Sequence, residues 1–246
     1  MKEKENKSRF FSYLKYAVGE ILLVVIGIIL ALGIGKYNEK IKTAKKTQVY
    51  LNGLKLEFEN NLQILDFTIS KNRDNINSAK KIAEIIAKQQ PYNNEKELAM
   101  LIGSSLGYSP VFKSENSILI EMLNSGALND ISNLELRKRL ASWSRKIDNL
   151  RFQEELLHKN QREAFNIIRK YGSLRSIFNE IGVTENLIGI SKSKPDTNNL
   201  EVLQKSQFDN EILLFITTSK VLESSQYEPL KKEIEAIIKL VKTEIN

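Results

Sequence analysis

The sequence predicts an all-α protein: one N-terminal transmembrane helix followed by a long-helix antiparallel bundle. Three observations predict it. Residues Ala17 to Gly35, AVGEILLVVIGIILALGIG, are apolar except for Glu20, and about 20 such residues suffice for a helix to cross a bilayer core. Beyond that run, apolar residues step by threes and fours over long stretches, the period of one helical face, and no alternating strand pattern competes. Helix breakers are sparse, with 11 glycines and 4 prolines in 246 residues, which favours long helices.

Residues 1–15 read as a short basic cytoplasmic tail, 16–36 as the transmembrane helix, 37–48 as a basic juxtamembrane stalk and 49–246 as the bundle domain. Tyr13, Tyr16 and Tyr37 sit at the two ends of the span, where amphipathic rings favour the membrane interface. Lys15, Lys36, Lys40, Lys42, Lys45 and Lys46 form a basic flank suited to lipid headgroups. Within the span, Gly27, Ala31 and Gly35 fall at i, i+4 and i+8, with Gly19 on the same row and Glu20 pointing nearly the same way. Small residues at this spacing let helices approach closely, so these five are the candidate contact residues. A cleaved signal peptide is the alternative for this segment, with Ala31 and Gly33 at an A-x-A-like spacing. Against it, the apolar run continues to Gly35 and the helix beyond follows directly.

Five positive residues precede the span (Lys2, Lys4, Lys7, Arg9, Lys15) and five follow closely (Lys36, Lys40, Lys42, Lys45, Lys46), so the positive-inside count is a tie. Moving a short, strongly basic tail across a membrane is unfavourable, whereas large domains translocate largely regardless of charge. The expectation is therefore an inner (cytoplasmic) membrane protein, N-terminus cytoplasmic and helical domain periplasmic.

The first long seam is Leu51, Leu54, Phe58, Leu62, Leu65, Ile69, Ile76, Ala79, Ala83 and Ile86, ended by Gln89-Gln90-Pro91-Tyr92-Asn93-Asn94. Glu95 to Leu106 forms a shorter helix, closed by a turn at Gly107-Tyr108-Ser109-Pro110. Ser114, Asn116 and Ser117 begin another, stopped at Ser125-Gly126. Asp130-Ile131-Ser132 starts the next, whose seam is Leu136, Leu140, Trp143, Ile147, Leu150, Leu157, Phe165 and Ile168, to Tyr171-Gly172. Residues 173–200 are the least regular and read as a mobile loop suited to variable function. Two closing helices carry Phe208, Ile212, Phe215 and Leu222, then Leu230, Ile234, Ile237 and Val241, separated by Ser224-Ser225-Gln226-Tyr227 and Pro229. The whole reads as a bundle of two long and several shorter helices.

The stretch Tyr13-Leu14-Lys15-Tyr16-Ala17-Val18-Gly19-Glu20-Ile21-Leu22-Leu23-Val24-Val25-Ile26-Gly27-Ile28, with Asn38-Glu39 after it, resembles the signature of an uncharacterised (domain-of-unknown-function) family of small single-pass membrane proteins common in Bacteroidota. Leu123-Asn124-Ser125-Gly126-Ala127-Leu128 followed by Leu136-Arg137 is similar to a second element of that family. This chain departs after the span, where Gly33-Ile34-Gly35-Lys36 replaces the more usual Gln-Ile-Asn-Asn-Trp. The resemblance implies single-pass topology and a bacterial envelope, and it carries no known activity.

Net charge is +7. Residues 1–46 account for +6 of it and the remaining 200 residues for +1, so the basicity belongs to the membrane flanks. A nucleic-acid domain would carry its own basic face, and no nucleic-acid partner is expected. The chain has no cysteine, which excludes disulfides, thiolate metal sites and cysteine catalysis. The single histidine, His158, follows Glu155 at the spacing of half a di-iron carboxylate motif. No second such motif exists, although Glu57 or Glu59 would be its carboxylates if they faced it. Gly33-Ile34-Gly35-Lys36 lacks the spacing and the Ser/Thr of a phosphate loop. Ser191-Lys192-Ser193-Lys194 fits Ser-x-x-Lys only by chance composition. Glu154 and Glu155 read as ordinary helix-surface carboxylates, and Trp143 as core.

No catalytic, cofactor or metal site is expected. The leading functional reading is a non-enzymatic, membrane-anchored bundle of the bacterial envelope that scaffolds or senses through self-association or a membrane partner. One alternative is an accessory subunit of an ion-driven membrane complex that uses Glu20. Another is an enzyme or lipid-handling bundle.

Overall fold

With so few breakers, one helix runs very far: α1 spans Lys2–Ala87 and passes from the apolar segment into the bundle without interruption. The computed structural model describes residues 2–195 and 197–245, with side chains from Gly19 onward. The side chains of the basic tail, Lys15 among them, and of Tyr13 and Tyr16 lie outside the described residues.

From the top of α1 the chain descends along it as α2 (Glu95–Leu106), a non-helical stretch at 107–116, and α3 (Ser117–Ser125). The direction is fixed by three contacts from α1: Asn75 Nδ2 to Tyr108 O at 2.7 Å, Asn61 Nδ2 to Glu115 O at 2.7 Å, and Tyr50 Oη to Glu121 Oε1 at 2.7 Å. Gly126, at φ 76°, ends α3 in the left-handed conformation that glycine adopts without strain. α4 (Leu134–Tyr171) then ascends, its Trp143 ring edge-on to Phe58 with centroids 4.9 Å apart. α5 (Leu174–Glu180) lies at the top, and α6 (Ser206–Leu222) and α7 (Glu228–Glu244) return to the base. Lys231 pairs with Asp66 at 2.7 Å, Lys242 with Glu59 at 2.8 Å, and Gln48 Nε2 reaches Glu244 O at 2.9 Å. The result is an up-down-up-down bundle with a broken second limb, and no strand occurs among the described residues.

The expected seams form the core. Leu51, Leu54, Phe58, Leu65, Ile69, Ile76 and Ala79 of α1 are buried, as are Trp143 and most of the α4 seam and all eight closing-helix residues. Leu62, Ala83, Ile86 and Phe165 are half-buried against them.

Four local expectations change. The closing helices are not separated: α6 and α7 join through a π-helical turn at Glu223–Tyr227, giving a third long limb. There the Glu228 N–H reaches Glu223 O, and the extra residue in the turn accommodates Pro229, which has no N–H to place and whose ring crowds the turn before it. α4 starts at Leu134, because Asn133 Oδ1 accepts from Leu136 N at 3.0 Å, while Ala127–Asp130 is a separate 3-10 turn. The turn at Gly107–Pro110 extends to a non-helical stretch through Asn116.

Residues 173–200 also contain more structure than their composition suggests, including α5 and a π-helical turn at Val183–Ile188. Asn199, fully buried, accepts from Ser173 N at 2.9 Å and donates to Glu95 Oε1 at 2.8 Å. Glu95 also accepts from Asn199 N at 2.8 Å and from Ser176 Oγ at 2.6 Å. A carboxylate at the start of α2 thus ties both ends of this segment to the bundle.

Candidate functional site

Two regions combine polar chemistry with an unusual position: the open lower half of α1 and the interior that holds the broken limb. The apolar part of α1 has an 18-residue window of mean hydropathy 2.2, none of it buried, and is long and apolar enough to cross a membrane. Gly19, Glu20, Gly27, Ala31 and Gly35 are all exposed. A Cβ built on any of these three glycines meets nothing within 4 Å, so the described chain itself leaves this face open.

The basic flank divides. Lys36, Lys40 and Lys45 line an open groove of about 1100 Å³ where the stalk passes the base of the bundle, together with Glu39, Asp130 and Glu244. Lys46 sits with its ammonium 5.4 Å from the centre of the Tyr50 ring, and Lys42 is exposed.

The second region follows from the break in the descending limb. A non-helical backbone inside a bundle must find partners outside itself, because an unpaired buried amide or carbonyl is costly. α1 and α4 supply them. Asn61 makes a two-bond clasp on Glu115, accepting from its N–H at 2.7 Å and donating to its carbonyl. Glu57 accepts from Ile118 N at 2.8 Å and Leu119 N at 3.3 Å, placing a carboxylate on the N-terminal amides of α3. From α4, Gln161 Nε2 donates to Tyr108 O at 3.2 Å, and its Oε1 accepts from Ser109 Oγ. Trp143 Nε1 donates to Asn116 Oδ1 at 2.9 Å.

Glu154 is the centre of this interior. It is 2% exposed, and its Oε1 accepts from Phe112 N and from Tyr227 Oη, both at 2.9 Å. Its Oε2 is buried with no hydrogen-bond partner among the described residues. Burial pushes the carboxyl above its ordinary range, against the lowering effect of those two hydrogen bonds. The same burial, with the Glu154 charge beside it, pushes the Tyr227 phenol far up, so it stays a donor. Burial likewise raises Glu57.

His158, one turn beyond Glu154, is half-buried. Burial and then Arg162 lower its pKa, opposed by a hydrogen bond to the Pro110 backbone, and its Nε2 has no hydrogen-bond partner among the described residues. Glu155 is exposed. Neither carboxylate weighed for His158 faces it: Glu57 serves α3 and Glu59 pairs with Lys242. Among the described residues, no three His, Cys, Asp or Glu side chains gather as metal ligands.

Glu154 itself is a correction to the sequence reading, which placed it on the helix surface. The signal was available: Glu154 occupies the seam position between Leu150 and Leu157, as Glu57 and Asn61 do between Leu54 and Leu65. A polar residue at a seam position marks an interior partner.

Geometry therefore defines a class: an all-α bundle protein whose first helix is long and apolar enough to cross a membrane and whose second limb is broken and held by buried polar groups. Within that class the chain belongs to the Family of unknown function (DUF6090), whose model matches residues 20–188. The match takes in the apolar helix, the broken limb and α4, and ends before α6 and α7. No curated protein and no solved structure matches the chain.

Proposed function

We propose that this protein is a single-pass, membrane-anchored scaffold or sensor of the bacterial envelope. It lies in the inner membrane with its N-terminus in the cytoplasm and its bundle in the periplasm, and acts through self-association or a membrane partner rather than by catalysis. One observation carries the reading: α1 is at once the apolar helix and a wall of the bundle, continuous from Lys2 to Ala87. A tilt or shift of the span is then a tilt or shift of the bundle, with no hinge between to absorb it. The interior polar groups are used as fasteners of the broken limb, which fits a structural assignment for them.

Topology is tested by paired C-terminal fusions of a periplasm-active and a cytoplasm-active reporter. Activity of the first alone supports the reading, and activity of the second alone overturns it. Detergent extraction of the tagged full chain, followed by mass measurement, tests the mode of action. Recovery with a second copy or a membrane protein supports it; a lone monomer under native extraction sinks it.

A further inference from the structure

One face of α1 remains open far beyond the apolar segment. Val49, Leu56 and Phe67 are 71%, 67% and 57% exposed, large side chains standing in solvent on a helix whose other faces build the core. The row Val49, Asn52, Leu56, Asn60, Gln63, Phe67 advances by 3, 4, 4, 3 and 4 residues. That spacing averages the helical repeat, so the row runs straight along the axis. None of its members is charged, in a chain with 37 Lys/Arg and 30 Asp/Glu. The carboxylates at its edge are already neutralised, Glu59 by Lys242 and Asp66 by Lys231. At about 100° per residue, Glu20, Gly27 and Ala31 fall in the same sector, about 40° wide, as Val49, Leu56 and Phe67.

We propose that this face is a parallel, two-fold contact with a second copy of the chain, running from the small-residue row of the span up the uncharged strip. The inference rests on the single-pass reading above and names its partner. Two copies with the same anchor point the same way and stand at the same height, so each residue of a two-fold contact meets its own counterpart. A charge in such a row would face itself. An apolar side chain packs on its own copy, and a carboxamide, which both donates and accepts, bonds to its own copy. The composition of the strip is what this symmetry requires. Gly27 and Ala31 let the helices approach inside the bilayer. The charges on the face sit at the two ends of the span: Glu20 within reach of the headgroup region, and Lys42 and Lys45 at headgroup level on the other side, where anionic lipid offsets their repulsion. A partner with no anchor would have no reason to match a strip about 20–50 Å beyond Gly35 in line with a row inside the span.

Because the chain has no cysteine, single substitutions report without background. In membranes holding the full-length protein, Val49→Cys and Leu56→Cys are expected to give disulfide-linked dimers under mild oxidation. Phe152→Cys, 68% exposed on α4, is expected to give none. The pair Leu56→Glu with Phe67→Glu puts like charges face to face and is expected to weaken the dimer at least about tenfold. It leaves the fold of each protomer intact, read as an unchanged far-ultraviolet circular dichroism spectrum, since both side chains stand in solvent on the single chain. Equal cross-linking at Phe152→Cys and Leu56→Cys, or a dimer indifferent to the two glutamates, overturns the contact. Carbonate washing distinguishes the two levels. Protein released from the membrane overturns the single-pass reading, and protein retained but monomeric overturns only the contact.

Discussion

Glu154 offers the sharpest test of how the bundle is held. Replacing it by alanine strands two buried donors, the Phe112 N–H and the Tyr227 hydroxyl, each now paired at 2.9 Å. A buried donor left without a partner costs about 1–3 kcal/mol, so Glu154→Ala is expected to lose about 3–5 kcal/mol once the cavity is included. Glu154→Gln keeps the accepting oxygen and removes the charge, and is expected to fall within about 1 kcal/mol of the parent at pH 7. The difference between parent and Glu154→Gln should also depend on pH. The carboxyl titrates at its ordinary 4.5 in the unfolded chain and higher in the folded one. Below 4.5 it is protonated in both states and carries no penalty. As pH rises, the unfolded chain ionises first, so the parent loses stability until the folded pKa is passed, then levels off. Glu154→Gln lacks this loss and should gain on the parent through that window. Denaturant unfolding of the full chain in detergent, followed by circular dichroism from pH 4 to 8, measures both effects. A glutamine variant as weak as the alanine one, or a parent–glutamine difference flat in pH, would refute the assignment of Glu154 as a buried acceptor strained by its charge.

Other consequences are simpler. Glu57→Ala removes the acceptor for two α3 amides and should cost about 1–2 kcal/mol, read as faster hydrogen exchange at Ile118 and Leu119. Asn199→Ala cuts the tie between Ser173 and Glu95 and should cost about 2–4 kcal/mol, with earlier tryptic cleavage at Lys192 than in the parent. Glu20→Gln separates the scaffold reading from ion-driven action: assembly and phenotype unchanged favour the first, while loss of partner assembly with the protein still inserted favours the second.

The long helices were legible because burial along a helix repeats with the helical period, and Leu51 to Ala79 or Leu136 to Ile168 repeat it many times. The apolar segment was legible from its length and from the confinement of charge to its ends. What the sequence hid was everything decided by a long-range partner. Pro229 reads as a boundary, yet a π-helical turn absorbs it because Tyr227 must reach Glu154 and the rest of α7 must reach α1. Ser224 and Ser225 turn their hydroxyls onto Val221 O at 3.3 and 2.6 Å instead of capping a new helix. Asn199 lies in a stretch of loop composition and is nevertheless fully buried, because Glu95, 104 residues earlier, waits for it. Glu154 differs from its exposed neighbour Glu155 by its seam position between Leu150 and Leu157, but the groups it holds, the Phe112 N–H of the broken limb and the Tyr227 hydroxyl, are set by long-range packing.

The placement of these features along α1 bears on how the proposed rod would work. Between Lys36 and Gln48 the helix has neither glycine nor proline, so the segment least supported by the bundle is also built without a hinge. Immediately above it, the base is clamped: Gln48 holds the end of α7, Lys242 holds Glu59, and Phe58 packs on Trp143. The buried polar contacts begin beside it with Glu57 on the α3 amides, and those to the non-helical stretch lie further up, from Asn61 through Glu154 to Asn75, where the second limb is broken. A tilt imposed at the membrane therefore enters a base tied helix to helix, and meets its first hydrogen bonds to a non-helical stretch of chain, Asn61 on Glu115, near the middle of the bundle. Apolar packing resists such displacement in proportion to the area it would expose, whereas a clasp such as Asn61 on Glu115 has discrete partners to lose. Under the proposed function, 107–116 is the part of the bundle that would register a movement of the span. The prediction follows that a Gly-Gly insertion after Lys40 uncouples amide exchange at Phe112 and Glu115 from any perturbation of the span, while leaving the base amides of Leu54 and Phe58 as protected as before.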